Sequence, residues 1–310
     1  SVLAEVGLCD REIRGNTVEQ SGGLRLGIEI WGDCNHCVVE DNTIDHWLSV
    51  GGCDWFAVRN NTVSAKDGTF AGYGLEIIGS YGIVTDNLVD DGQAIGISVS
   101  GNREKRHVLY ARNIIRRCSQ WGAQFQGDET GIQRQYLYDC DFIGTTLERG
   151  RVPYEGHEGH GFRTNGGVSD LVLEGCRAAE NAKLGLQLGG AGVDRLRFIG
   201  CEIVDNGGAA VAGPGDYTAL QFQECTVAGN AGDALPTQKP FPTPPPTAGI
   251  AAPDDAACDS EVTLRSSSEP GSGEIDVAMW DLGDGPPVVG EVIKHKYSEP
   301  GTYRITLIVW

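Results

Sequence analysis

Aliphatic and polar positions recur along the first 233 residues in two interleaved phrases. One is Asn, any residue, then an aliphatic: GNTV at 15–18, DNTI at 41–44, NNTV at 60–63, DNLV at 86–89 and RNII at 112–115. From DCDF at 139–142 the Asn gives way to Cys, through GCRA (175–178), GCEI (200–203) and ECTV (224–227). Three residues before this position lies a column running from Ile13, Val39 and Val58 to Phe198 and Phe222. Two residues after it lies another, from Val18, Ile44 and Val63 to Ile203 and Val227. The second phrase is bounded by glycine: GIEIWG (27–32), LSVGG (48–52), GLEIIG (74–79), GISVSG (96–101), GAQFQG (122–127), GFRTNG (161–166), GLQLGG (185–190) and GAAVAG (208–213). Alternation turns Ile28, Ile30, Leu75, Ile77, Ala123 and Phe125 inward and Glu29, Glu76 and Gln124 outward.

Columns spaced mostly 19 to 27 residues apart require equivalent residues to stack on one another. Short strands, turn residues and that period predict a right-handed parallel β-helix solenoid over 1–233, with rungs about 4.8 Å apart. Stacked Asn amides bond along such a ladder, so the Asn column is structural. Cys140, Cys176, Cys201 and Cys225 continue it as buried thiols, and Cys37 falls in a core column. Cys34 and Cys53 fall on neighbouring turns, where a disulfide is one outcome; a zinc site on Cys34, Cys37 and Cys53 is the weaker one.

The repeat ends near residue 233. LPTQKPFPTPPPT (235–247) reads as a proline-rich spacer, with 234–244 as the linker. Beyond it, alternating strands predict a small immunoglobulin-like β-sandwich over 245–310. WDLGDG (280–285) and HKYSEPGTY (295–303) resemble the two signature phrases of the polycystic-kidney-disease (PKD) domain. That resemblance implies a secreted or cell-surface, modular, glycan- or protein-degrading setting, with Asp281 and Asp284 as turn formers.

The first 233 residues are similar to the pectate-lyase-like superfamily, which includes polygalacturonases, alginate lyases and mannuronan epimerases. The resemblance implies a polysaccharide laid along the outer face of one sheet. Here the outward residues are Glu29, Ser49, Glu76, Ser98, Gln124, Arg163, Gln187 and Ala210, with Trp31, Ile78, Ser100, Gln126 and Asn165 two positions on. The strip is rich in hydrogen-bonding groups suited to sugar hydroxyls. Two long turns, at 64–73 and 144–160, would rise about 14 Å apart beside it. Tyr73 and Trp31 are available for stacking on sugars.

Composition narrows the partners. The formal net charge is -19, which argues against nucleic acid or an anionic membrane. No apolar run is long enough to span a bilayer and no signal peptide is visible, while the first residues already read as a folded repeat. Further domains of the same polypeptide are therefore expected.

Three chemistries stay open. Elimination from a uronate needs a base and a group that neutralises the carboxylate: His160 or Tyr154 with Arg163, Glu158 orienting His160, and Ca²⁺ on Glu76, Asp128 or Glu129. The calcium cluster of pectate lyases and the DPH-type motif of the epimerases are both absent. Hydrolysis needs two carboxylates, for which Glu29 and Glu76, two rungs apart, are candidates. The triple-Asp pattern of polygalacturonases is absent too. The third reading is a non-catalytic carbohydrate-binding module of a larger enzyme.

Overall fold

The structure is a computed structural model that describes residues 2–5, 12–19, 26–64, 71–91, 93–100, 105–128, 131–146, 158–213, 217–242, 244–253, 255–271 and 273–310. The described residues form no helix. The repeat region winds into three parallel sheets of nine strands, each turn adding one strand to each sheet. The first sheet carries the glycine-bounded phrase, the second the column of Ile13, and the third the column of Val18.

Both columns stack residue on residue. Ile13 pairs with Val39, and the register continues through Val58, Val84, Tyr110, Leu137, Leu173 and Phe198 to Phe222. Their side chains fill one continuous core running the length of the solenoid.

At the corner between the second and third sheets the Asn side chains form the expected ladder. Asn16, Asn42, Asn61 and Asn87 each donate from Nδ2 to Oδ1 of the next, over 2.9–3.0 Å, ending at Asn113. Asn113 then donates to Cys140 Sγ, and from there the thiols bond to backbone carbonyls instead. The residue before each ladder position is left-handed: Gly15, Asp41, Asn60, Asp86, Arg112 and Asp139 have φ between 49° and 64°. Gly, Asp and Asn tolerate that conformation best, which is why they precede the ladder Asn so often. A second amide ladder, Asn181–Asn206–Asn230, closes the corner leading to the first sheet. Its Asn-Ala and Asn-Gly contexts do not follow the first phrase. The described cysteines are all free thiols, so the Cys34–Cys53 disulfide does not form. Both sulfurs sit fully buried, bonded to backbone carbonyls.

Residues 250–309 form two three-stranded antiparallel sheets packed face to face around Val262, Leu264, Trp280, Ile293 and Leu307. This is the small sandwich. It does not stand off at the end of a spacer. Met279 and Ile308 pack onto Ile83, Leu109 and Ala111, which face outward from the second sheet. The proline-rich segment is itself docked, since Lys239 pairs with Leu220 on the last strand of that sheet. Gln238 Oε1 accepts from Phe222 N–H at 2.9 Å. An open β-edge is thereby covered.

Candidate functional site

With sandwich and linker occupying the second sheet, the outer face of the first sheet is where the polar strip runs. Its register is Glu29, Ser49, Glu76, Ser98, Gln124, Arg163, Gln187. The next position is Ala212, not Ala210; Ala210 is fully buried among the core residues. The final rung is a two-residue strand, Val211–Ala212, so the glycine-bounded phrase misplaces the register there by two. Two positions on, Trp31 pairs with Gly51 and Gly51 with Ile78, while Gln126 pairs with Asn165; Ser100 lies just past its strand. Gly51 makes room for Trp31: a Cβ there would meet the indole at 2.3 Å. Trp31 is half exposed, the most open large ring on this face among the described residues.

Sequence reading missed a third column. Tyr73 pairs with Ile95, Ile95 with Trp121 and Trp121 with His160, while Trp47 meets Tyr73 edge to face at 4.9 Å. Tyr73, Ile95 and Trp121 form an apolar cluster separate from the core. The cause is a glycine in each rung. Gly96 and Gly122 face inward, where a Cβ would strike Ile115 or the backbone of Gly161, and so do the apolar residues that follow them. Strict alternation fails at that step, and the residue before the glycine turns outward. The signal was visible as YG, IG, WG and HG at the head of successive phrases.

These columns put an apolar, partly aromatic shelf beside a polar strip. Along the strip, Ser49 Oγ donates to Glu76 Oε2 at 2.7 Å, and Gln124 Nε2 donates to Gln126 Oε1 at 2.7 Å. Burial raises the Glu76 carboxyl above the ordinary glutamate range; the Ser49 hydroxyl opposes this and the Glu29 charge adds to it. Three rungs away, the Arg163 guanidinium lies 4.4 Å from the centre of the Trp121 ring. Burial lowers its basicity, against the Glu158 charge. His160 is held at both nitrogens. Nδ1 accepts from Leu184 N–H at 3.0 Å, so Nε2 carries the proton and donates to Glu158 at 2.9 Å. Burial depresses its basicity, and Glu158 only partly offsets that.

Several buried polar atoms on this face remain unspent. Ser98 Oγ, Gln124 Oε1, Gln187 Oε1 and the indole nitrogens of Trp47 and Trp121 have no hydrogen-bond partner. Native proteins leave few such atoms unpaired, so on this face water or the hydroxyls of a ligand can meet them.

The geometry thus gathers Glu158, His160, Arg163, Trp121 and Gln124 at one place and Glu29, Ser49 and Glu76 at another. Asp128 is exposed beyond the end of its strand, apart from both. Tyr154, Glu129, residues 65–70 and most of the 144–160 turn lie outside the described residues. A Ca²⁺ ion takes six or more oxygens. Glu76 offers a carboxyl already bonded to Ser49, and no three His, Cys, Asp or Glu among the described residues converge as a metal site. Of the three carboxylates suggested for Ca²⁺, Glu76 is bonded to Ser49, Asp128 is exposed past its strand, and Glu129 lies outside the described residues.

The family model described as a right handed beta helix region matches residues 27–235, more than half of the chain. The chain belongs to the right-handed β-helix family. The PKD domain model matches residues 243–310 of this β-helix protein, the region of the small sandwich. No curated protein matches it significantly. Among solved structures it is similar to a mutant of the periplasmic alginate epimerase AlgG, with TM-score 0.45 and 14% identity over 66% of this chain and 47% of that one. It is also similar to ORF18 of Geobacillus virus E2, with TM-score 0.42 and 11% identity over 97% and 62%. A third is the catalytic domain of an alpha-1,3-glucanase in complex with nigerose, with TM-score 0.34 and 10% identity over 74% and 58%. The β-helix chain spans about half to three-fifths of the length of these structures.

Proposed function

We propose that the outer face of the first sheet binds a polysaccharide and cleaves it by hydrolysis, with Glu76 as proton donor and Glu29 as base, in a secreted or cell-surface protein. The observation that carries the reading is the row of unspent polar atoms on Ser98, Gln124 and Gln187 beside the Tyr73–Trp121 shelf. Sugar hydroxyls both donate and accept, so they can satisfy carbonyl and indole alike, while the shelf takes the apolar face of the ring.

A carboxyl that burial makes a weaker acid, as at Glu76, suits protonation of a glycosidic oxygen. Glu29 and Glu76 stand two rungs apart, ~9.6 Å between Cα atoms at the usual strand spacing. Carboxyl separations of about 6.5–9.5 Å leave room for the water of an inverting reaction. In that step the C1–O bond breaks as Glu76 gives its proton to the leaving oxygen. Water attacks C1 and yields a proton to Glu29. Elimination with His160 as base is disfavoured, because that ring has no free lone pair with which to take a C5 proton; Tyr154, the other candidate base, lies outside the described residues.

The test is mass spectrometry of products from a panel of neutral and uronic polysaccharides, with and without EDTA, for the wild type and for Glu76→Gln and Glu29→Gln. Products heavier by water at each cut, abolished in both variants, support the reading. An unsaturated end without added water overturns it in favour of elimination. The second reading, binding without cleavage, is favoured by the half-exposed Trp31 platform. It holds if no product forms yet a glycan retards the protein in an affinity gel.

A further inference from the structure

Between the solenoid, the proline-rich segment and the sandwich lies a cleft of about 410 Å³, unrelated to the first sheet. Arg197, Tyr136, Glu174, Phe241, Glu274 and Trp310 are among the residues lining it. Its other two arginines are each paired with a carboxylate, and Glu174 is bonded to a tyrosine. Arg195 forms two 2.6 Å bonds to Asp170, Arg134 is paired with Asp276, and the Tyr136 hydroxyl donates to Glu174. Arg197 differs. It is 7% exposed, its Nε has no hydrogen-bond partner, and no carboxylate among the described residues pairs with it. Its guanidinium lies 4.0 Å from the centre of the Phe241 ring, which holds it flat against the linker. A buried cation in this state is costly unless something supplies the missing charge.

We propose that this cleft binds a sugar acid, with Arg197 as the anchor of its carboxylate. Guanidinium and carboxylate match in a bidentate fork, which the unpaired Arg197 can offer. The rest of the lining selects the remainder of the ligand. Glu174 and Glu274 accept hydrogen bonds, which the hydroxyls of a sugar donate and a doubly charged phosphate cannot. Tyr136 and Trp310 offer ring surface of the kind sugars pack against. The volume lies in the range of small-molecule sites and suits one or two sugar units. Since three parts of the chain meet here, an occupied cleft also fastens the sandwich to the solenoid.

The test is an NMR titration of the whole chain, reading the Arg197 Nε–H and Trp310 indole N–H resonances, with D-glucuronate, D-glucose and inorganic phosphate as probes. Saturable shifts of both resonances with glucuronate alone support the site. Arg197→Gln, followed at Trp310, is expected to weaken glucuronate roughly 10- to 100-fold, as for loss of a charged hydrogen bond. Equal binding of glucose, equal or tighter binding of phosphate, or no saturable shift at tens of millimolar glucuronate overturns it. If Arg197→Gln does not fold, the wild-type Arg197 resonance decides alone.

Discussion

Arg59, on the second sheet of the solenoid, places its guanidinium 2.6 Å from Asp281 Oδ1, at the head of the WDLGDG motif of the sandwich. It also donates to the Gly285 carbonyl at 2.6 Å, at the other end of that motif. Asp281 Oδ1 accepts from Gly283 N–H as well, so one oxygen shapes the turn and receives the neighbouring domain. Arg59 and Asp281 are both under a tenth exposed. The motif that marks the sandwich as a module is thus also its point of attachment.

Removing one partner of a buried pair leaves the other charge uncompensated, at a cost of about 3–5 kcal/mol. Arg59→Ala is therefore expected to destabilise docking by that order. Limited proteolysis should then cut between the domains, and small-angle scattering should show a longer particle. The double variant Arg59→Met with Asp281→Asn should recover part of the loss, because no buried charge is left unpaired and the Asn oxygen can still accept from Gly283 N–H. Unchanged proteolysis in Arg59→Ala would show that Met279 and Ile308 hold the interface by themselves.

The amide ladder makes a sharper stability prediction. Asn61 is bonded to Asn42 on one side and Asn87 on the other, whereas Asn113 has an amide only before it and Cys140 after. Replacing either by Cys imitates the lower half of the ladder. Asn61→Cys takes the acceptor from the Asn42 amide and backbone N–H, while Asn87 Oδ1 keeps the residue-61 backbone N–H; Asn113→Cys takes the acceptor from the same two groups of Asn87. Urea denaturation should show each variant losing about 1–3 kcal/mol. No loss in either would mean that the ladder does not act through its neighbour-to-neighbour bonds.

Those ladders were legible in the sequence because stacking converts register into period. Every residue from Ile13 to Phe222 in that column could be placed by its distance from an Asn or Cys. The outer face was legible only where alternation held, as for Glu76, Gln124 and Arg163. It failed at the inward glycines, and Trp47 and Trp121 were lost there. The docking of the sandwich left no trace in the repeat: Ile83, Leu109 and Ala111 are outward residues that simply happen to be apolar, and nothing local says what covers them. Arg197 was invisible for a similar reason, since its isolation depends on which neighbours carry no carboxylate.

Burial makes a prediction at Glu76 that does not depend on catalysis. Its folded-state pKa is raised above the ordinary value of 4.5. The folded state therefore holds this proton more tightly than the unfolded chain does. Stability tied to the proton is complete below pH 4.5 and is lost as pH rises through the folded pKa. Glu76→Gln keeps the shape and cannot ionise. The melting temperature of the variant relative to wild type should rise with pH from about 4.5 upward. A difference independent of pH would mean that Glu76 is not held in its acid form.

At the domain junction the sign reverses. His107 stacks on Tyr81 at 5.1 Å, meets Trp310 of the sandwich edge-on at 5.0 Å, and its Nε2 lies 3.0 Å from Arg134 Nη1. Only the neutral ring can accept that bond. Burial, with the Arg134 charge, lowers its pKa from 6.5 to about 4, although the Asp276 carboxylate pulls the other way. The folded state thus binds fewer protons than the unfolded chain. Stability is complete above pH 6.5 and falls as pH drops through that value, levelling off below about 4. At 1.36 kcal/mol per unit the full loss is on the order of 3 kcal/mol. His107→Gln can still accept from Arg134 and does not titrate. Its unfolding free energy should depend less on pH between 6.5 and 4 than that of the wild type, and equal slopes would remove His107 as the source. Because the ring touches Trp310, the same protonation should loosen the sandwich before the solenoid melts. Trp310 fluorescence should therefore change at a higher pH than the far-ultraviolet circular dichroism does.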